Sequence, residues 1–145
     1  MGDVFEIPLP NGKFAYGRVY DDAGVGIYSQ VSEKPDNPPI GSREFMFNVG
    51  MYEDILKTGE WKIVGSDPFL DGESEFPPPS YIKDVISGEF SIYHRGEITD
   101  SSEEECRGLE ETAVWDSHHI IERIMNRLNA SHSNLYFPRQ GRIVD

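Results

Sequence analysis

The first thirty residues alternate apolar and other side chains in short runs separated by turn residues, and this period of two predicts β-strands. Val4–Leu9 and Lys13–Tyr20 each show the pattern, and Val25–Val31 forms a third run. The Asn11-Gly12 pair between the first two runs predicts a tight two-residue hairpin turn, because this pair readily supplies positive φ angles. Residues 1–31 are therefore predicted to form a three-stranded β-meander.

Further strands are predicted within residues 44–93. Tyr81–Ile86 and Glu89–Tyr93 form the last two of these runs, and Ser87-Gly88 separates them. Glycines inside a strand favour bends or the close approach of another group, and Gly17 is such a residue.

Near the end the apolar period changes to that of a helix. The repeating residues are Ile120, Ile121, Ile124, Met125 and Leu128. This spacing predicts an amphipathic helix over residues 116–129, with Asp116 or Ser117 as the N-cap and Asn129 as the C-terminal stop. Residues 130–145 lack the period and are predicted to form a tail.

Many short strands followed by one helix favour the α+β class. We expect a small, strongly bent antiparallel β-sheet or an open barrel, with the C-terminal helix packed on it. The length of 145 residues fits a single domain spanning 1–145, and 12% aromatic residues provide bulky side chains for its core.

The formal net charge of −13 is unevenly distributed along the chain. The segment 66–112 holds thirteen acidic residues against three basic ones, a net charge of −10. Such a surface repels phosphate backbones, which argues against nucleic-acid binding, and it accelerates encounter with a basic protein. A solvated surface that only keeps the protein soluble is the alternative interpretation.

Catalytic motifs with a phosphate loop, a nucleophile elbow or a metalloprotease helix are absent from the sequence. His118 and His119 are adjacent, so on a helix their side chains point about 100° apart and form a poor bidentate metal site. Cys106 follows the acidic run Glu103–Glu105, which does not activate a thiol as a nucleophile. We therefore predict no catalytic, cofactor-binding or metal-binding residues.

The cysteine content and the distribution of apolar residues indicate the cellular location. A single cysteine excludes an internal disulfide, the first residues lack the apolar segment of a signal peptide, and no run approaches the roughly 20 apolar residues of a membrane span. The sequence thus predicts a cytoplasmic protein without membrane association.

The opening segment Gly2–Val19, GDVFEIPLPNGKFAYGRV, closely resembles the immunity protein 26 family of bacterial polymorphic toxin systems. Trp61–Gly65, Phe90–Tyr93 and Leu109–Trp115 resemble later parts of that family, so the similarity extends in register to about Leu128. Glycines, prolines and aromatic residues carry this resemblance, and it therefore supplies no active-site residues.

This resemblance implies a non-catalytic cytoplasmic immunity protein that binds and neutralises a cognate toxin. The acidic region suits a basic toxin, and a nuclease with a basic cleft is one candidate. We expect the acidic region to contact the toxin. The predicted partner-binding residues are Asp71, Glu73, Glu75, Asp100, Glu103, Glu104 and Glu105.

Two alternatives remain at the level of the sequence. The Gly-Asp-Val-Phe opening also resembles that of small-barrel endoribonuclease toxins, although a net charge of −13 is poorly suited to holding RNA. A small-ligand or regulatory binding domain is the other alternative.

Overall fold

The structure, a computed structural model, describes residues 1–132, which form two β-sheets and three helices. The elements in chain order are β1 (Asp3–Pro8), β2 (Phe14–Val19), β3 (Gly24–Tyr28), β4 (Phe45–Met51), α1 (Asp54–Lys57), β5 (Lys62–Ser66), β6 (Ser80–Lys83), β7 (Phe90–His94), β8 (Glu97–Ser101), α2 (Glu103–Cys106), β9 (Glu110–Glu111), β10 (Val114–Trp115) and α3 (Ser117–His132). The large sheet has the order β10-β4-β3-β2-β1-β5, and the small sheet has the order β8-β7-β6-β9. The predicted α+β class is confirmed.

The strands form two sheets where one bent antiparallel sheet or open barrel is expected, and, as expected, neither sheet is closed. Both are mixed, because the two-residue strands β9 and β10 pair in parallel with β6 and β4, respectively. These pairings join segments far apart in the sequence, which a local alternation pattern does not reveal.

The N-terminal meander is confirmed, since β1, β2 and β3 pair in antiparallel order. Its first turn is not the two-residue turn predicted from Asn11-Gly12. The Leu9 amide donates to the Lys13 carbonyl at 2.9 Å, which leaves a three-residue loop from Pro10 to Gly12. Pro10 has the fixed φ of a type I turn, so only Gly12, at φ 85°, takes the left-handed conformation.

One face of the large sheet carries the main hydrophobic core. Phe5 and Ile7 of β1 are fully buried there, together with Ile120 and Ile124 of α3. Trp61 stacks on the Phe5 ring with centroids 5.7 Å apart. The C-terminal helix therefore packs on the sheet, as the 3.6-residue period predicts.

The opposite face of the meander is buried as well. Val4, Tyr16 and Tyr28 form a second cluster on this face, and the fully buried Arg18 lies on the same side. The loops 29–44 and 67–73 supply the hydrogen-bond partners of these polar groups. The large sheet is thus covered on both faces, by helix on one and by polar-lined loops on the other.

Helix α3 begins as predicted but continues further. Asp116 caps it, since its carboxylate accepts the His119 amide at 2.9 Å. The predicted stop at Asn129 is wrong, because the helix runs to His132 without a left-handed residue at Asn129. Ala130, a strong helix former, therefore lies in the helix and not in the predicted tail 130–145, of which residues 133–145 lie outside the described range. No helix within 1–132 is long and apolar enough to cross a membrane.

The predicted close approach at Gly17 gives a stability test. A Cβ at this position would lie 2.2 Å from Cζ of Phe5, whereas a Cβ at Gly65 meets no atom nearer than 3.5 Å. We expect Gly17→Ala to lower the free energy of unfolding by about 1–3 kcal/mol through overpacking. Gly65→Ala, the matched control, should stay within about 0.5 kcal/mol of the wild type. Urea denaturation measures both, and equal stability of the two variants would refute this packing.

Candidate functional site

The small sheet lies outside both hydrophobic clusters of the described residues. No side chain of β6, β7, β8 or β9 belongs to either cluster. Polar contacts tie it to the rest of the fold. The Tyr93 hydroxyl bonds to the Asp22 carboxylate, and the Arg123 guanidinium of α3 donates twice to Glu110 at 2.6 and 3.0 Å. The large sheet therefore forms the scaffold, and the small sheet projects from it.

This small sheet is strongly acidic. Residues 80–111, which contain its four strands and α2, hold nine acidic residues and three basic ones, a net charge of −6. Strand β8 is exposed from Glu97 to Asp100. Nearly half of the whole-chain charge of −13 thus lies on a part of the fold with little apolar packing.

Four of the predicted partner-binding residues lie together on this sheet. Asp100 ends the exposed stretch of β8, and Glu103, Glu104 and Glu105 form the first turn of α2. The Glu105 carboxylate accepts the Ser101 hydroxyl at 3.0 Å, while the Ser102 hydroxyl accepts the Glu105 amide at 3.2 Å. Ser102 is therefore the N-cap of α2, and the Glu105 carboxylate lies beside it, whereas the Glu103 and Glu104 side chains are exposed and their carboxylates accept no hydrogen bond from the described residues.

The remaining three lie in the connection that leads to β6. Asp71 and Glu75 are exposed. Glu73 has a different environment, because its carboxylate accepts from Arg18 at 2.8 Å and forms an ion pair with Arg43 at 2.9 Å. The structure thus separates Glu73 from the other six predicted residues: its charge already has internal partners.

Arg18 is the centre of this internal network. Its guanidinium donates to the carbonyl oxygens of Asp67 at 2.9 Å and Pro68 at 3.0 Å, and it lies 3.8 Å from the centroid of the Phe69 ring. Together with the Glu73 pair, these contacts hold the loop 67–73 against the sheet. Such complete pairing is what a buried guanidinium requires.

The acidic members of the network have lowered pKa values. The hydrogen bond from Arg18 is the main reason that the pKa of Glu73 falls to about 2. Burial alone would raise the pKa of Asp67, but hydrogen bonds from Tyr28 and the Gly41 amide bring it below its ordinary value. Burial, reinforced by the bond to Asp67, raises the pKa of Tyr28. Both carboxylates are therefore charged at neutral pH and neutralise the buried arginine.

A cleft of about 530 Å³ separates the two sheets. Its floor includes Phe47 and Val49 of β4, and Pro77–Pro79 form one wall. Charged side chains of both signs line it, including Arg95 and Glu111. With both signs present, the cleft has no single electrostatic character.

Comparison with known proteins gives one match. The family model described as Immunity protein 26 matches residues 1–92 of the chain. The chain belongs to the immunity protein 26 family. No curated protein and no solved structure matches it.

The part of the chain that matches the immunity protein 26 family covers five of the six strands of the large sheet, β1 to β5, and it reaches into the small sheet. It includes the meander, the Arg18 network and the hairpin of β6 and β7 as far as Ile92. Asp100 and the α2 glutamates lie beyond it, as does the Leu109–Trp115 segment for which a resemblance was predicted. In this family member the acidic residues of β8 and α2 thus follow the matched region.

No three His, Cys, Asp or Glu side chains of the described part are placed to hold a metal ion. The His118 and His119 rings meet edge to face with centroids 5.5 Å apart, and His119 Nδ1 lies 2.9 Å from the exposed Asp116 carboxylate. Cys106 is buried, with Sγ 3.9 Å from the Ser91 carbonyl oxygen.

Two features of the structure differ from what the sequence pattern predicts. The pattern does not identify Arg18 as a buried centre, although a lone arginine among strand aromatics is an available signal. The pattern predicts Val85 and Ile86 at the end of a strand, but β6 ends at Lys83 and both residues lie in the following turn. The succession Asp84, Ser87 and Gly88 is the turn signal that competes with the strand pattern there.

The Glu73–Arg18 pair predicts a dependence of stability on pH. The pKa of Glu73 is depressed from 4.5 to about 2, so its stabilising contribution is present above pH 4.5 and is lost as the pH falls toward 2. We expect Glu73→Gln to be less stable than wild type at pH 7 and to lose less stability between pH 4.5 and 2. Urea denaturation at several pH values measures this. Glu75→Gln, which removes an exposed carboxylate nearby, is the control, and a Glu73→Gln profile parallel to that of the wild type would contradict the pairing.

Proposed function

We propose that this chain is a non-catalytic immunity protein that binds and neutralises a cognate toxin through the acidic small sheet. The observation that carries the proposal is the net charge of −6 on residues 80–111, which lie outside both hydrophobic clusters. Membership of the immunity protein 26 family supports the general role.

The electrostatics indicate what kind of toxin fits. Exposed carboxylates such as Asp100, Glu103 and Glu104 raise the rate of encounter with a basic surface. A toxin that acts on nucleic acid needs such a surface to hold phosphates. We therefore propose a basic toxin, with a nuclease as the leading candidate, and a cytoplasmic site of action for the complex.

The division of the fold also suits inhibition by binding. The Arg18 network pairs two arginines, Arg18 and Arg43, with the two carboxylates of Asp67 and Glu73, so it contributes little net charge to the surface. The carboxylates of β8 and α2 are instead exposed to solvent and available to a partner. A rigid scaffold that presents a preorganised charged surface loses little conformational entropy on binding.

Charge reversal tests the proposed surface. We expect Glu103→Lys combined with Glu104→Lys to weaken binding to the toxin domain encoded beside this gene by about tenfold or more at low salt, mainly through a slower association rate. Glu33→Lys combined with Glu44→Lys makes the same change in net charge at exposed positions outside the small sheet and is the matched control. Glu105 is left intact because its carboxylate accepts hydrogen bonds from the Ser101 and Ser102 hydroxyls beside the N-cap of α2.

Surface binding kinetics over a range of salt concentrations give the association rates, and cell survival during toxin expression reports neutralisation. Equal loss in the two variants would show that only total charge matters and would refute the small sheet as the binding surface. Cleavage of RNA by the purified chain would favour the endoribonuclease alternative instead.

A further inference from the structure

The turn between β6 and β7 carries two adjacent apolar side chains that contact almost nothing. Val85 is 97% exposed and Ile86 is 93% exposed, the two highest values among the large exposed hydrophobic residues of the described chain. Single exposed apolar residues are common on protein surfaces. An adjacent β-branched pair at the end of a hairpin is a different feature, because it presents a continuous apolar tip.

Hydrogen bonds fix the shape of this tip. The Asp84 carboxylate accepts the Ile86 amide at 2.8 Å and the Ser87 amide at 2.9 Å, and the Asp84 carbonyl accepts the Gly88 amide at 2.8 Å. Gly88 closes the turn at φ 76°. Since β-branched side chains also have few rotamers, the tip loses little conformational entropy when it is buried.

We propose that Val85 and Ile86 form the apolar anchor of the toxin interface and insert into an apolar pocket that basic side chains surround on the toxin. This inference rests on the proposed function and adds to it the residues that determine the dissociation rate. Interface energy concentrates in a few buried side chains near the centre, while charged groups at the rim act mainly on encounter.

The negative charge around the tip favours a basic protein as its partner over a second copy of the chain or an anionic membrane. Asp84 and Glu89 flank the apolar pair, are exposed, and belong to a region with a net charge of −6. A second copy of the chain would bring the same negative charge against it, and an anionic membrane would repel it. A basic protein meets the acidic rim favourably while it buries the apolar tip.

The test compares Val85→Ser combined with Ile86→Ser against Ile63→Ser combined with Leu70→Ser. The control pair removes exposed apolar side chains outside the small sheet, where Ile63 is 48% and Leu70 is 65% exposed. Affinity for the toxin domain encoded beside this gene is measured by surface binding kinetics at low and high salt. We expect the tip variant to bind about 30-fold or more weakly at both salt concentrations through faster dissociation, and the control to change by less than about threefold.

Two further measurements keep the test decisive. Circular dichroism should show the wild-type fold for the tip variant, because both side chains are exposed. Exchanging the two residues, with Val85→Ile and Ile86→Val, preserves an apolar tip and should retain binding within about threefold. Loss of binding in this exchanged variant would show that general apolar burial at the tip is not what the toxin recognises.

The remaining outcomes would contradict the proposal in different ways. If the wild-type protein binds the toxin domain and the tip variant binds it equally tightly, the tip is not the anchor, but the proposed function still holds. Tip-dependent self-association in sedimentation velocity would assign the tip to a second copy, and tip-dependent flotation with phosphatidylglycerol vesicles would assign it to a membrane. Failure of the wild-type chain to bind the toxin domain would overturn both proposals.

Discussion

The buried guanidinium of Arg18 on strand β2 holds the loop 67–73, which leads into the small sheet. Arg18 is fully buried, and an unpaired charge in that position would cost several kcal/mol. Its partners, Asp67, Pro68 and Glu73, all come from one loop, and the Phe69 ring covers the planar group. That loop leads into Pro77, which packs on Gly24 of β3 immediately before β6 begins. The Arg18 network therefore holds the connection that leads into the acidic sheet, and the Tyr93–Asp22 and Arg123–Glu110 contacts hold the sheet itself.

Under the proposed function, the large sheet stabilises the fold and the small sheet binds the partner. The large sheet buries apolar residues on the face that contacts α3 and satisfies its polar groups on the other face. The small sheet has one buried side chain, Cys106, among the described residues of its strands and α2, and it leaves the carboxylates of β8 and α2 and an apolar turn exposed. This arrangement suits a protein that must present a fixed surface to a partner. Membership of the immunity protein 26 family gives that partner its class.

Local sequence patterns predict the strands and the helix that form because of their own residue spacing. The meander follows from alternation in 1–31, and α3 follows from its 3.6-residue period. The pairing of Arg18 with Glu73 joins positions 55 residues apart, and the two-residue strands β9 and β10 depend entirely on distant partners, so no local pattern reveals them. Charge alone placed Glu73 among the partner-binding candidates, because sequence does not distinguish a carboxylate that faces an internal arginine from one that faces solvent.

Hydrogen–deuterium exchange of the chain, free and bound to the toxin domain, tests the division between the scaffold and the proposed binding surface most directly. We expect β1–β3 to exchange slowly in both states, because burial on two faces protects their amides. Toxin binding should slow exchange across residues 80–106, including the turn 84–89. Protection confined to the loop 29–44 or to α3, with unchanged exchange in the small sheet, would contradict this division.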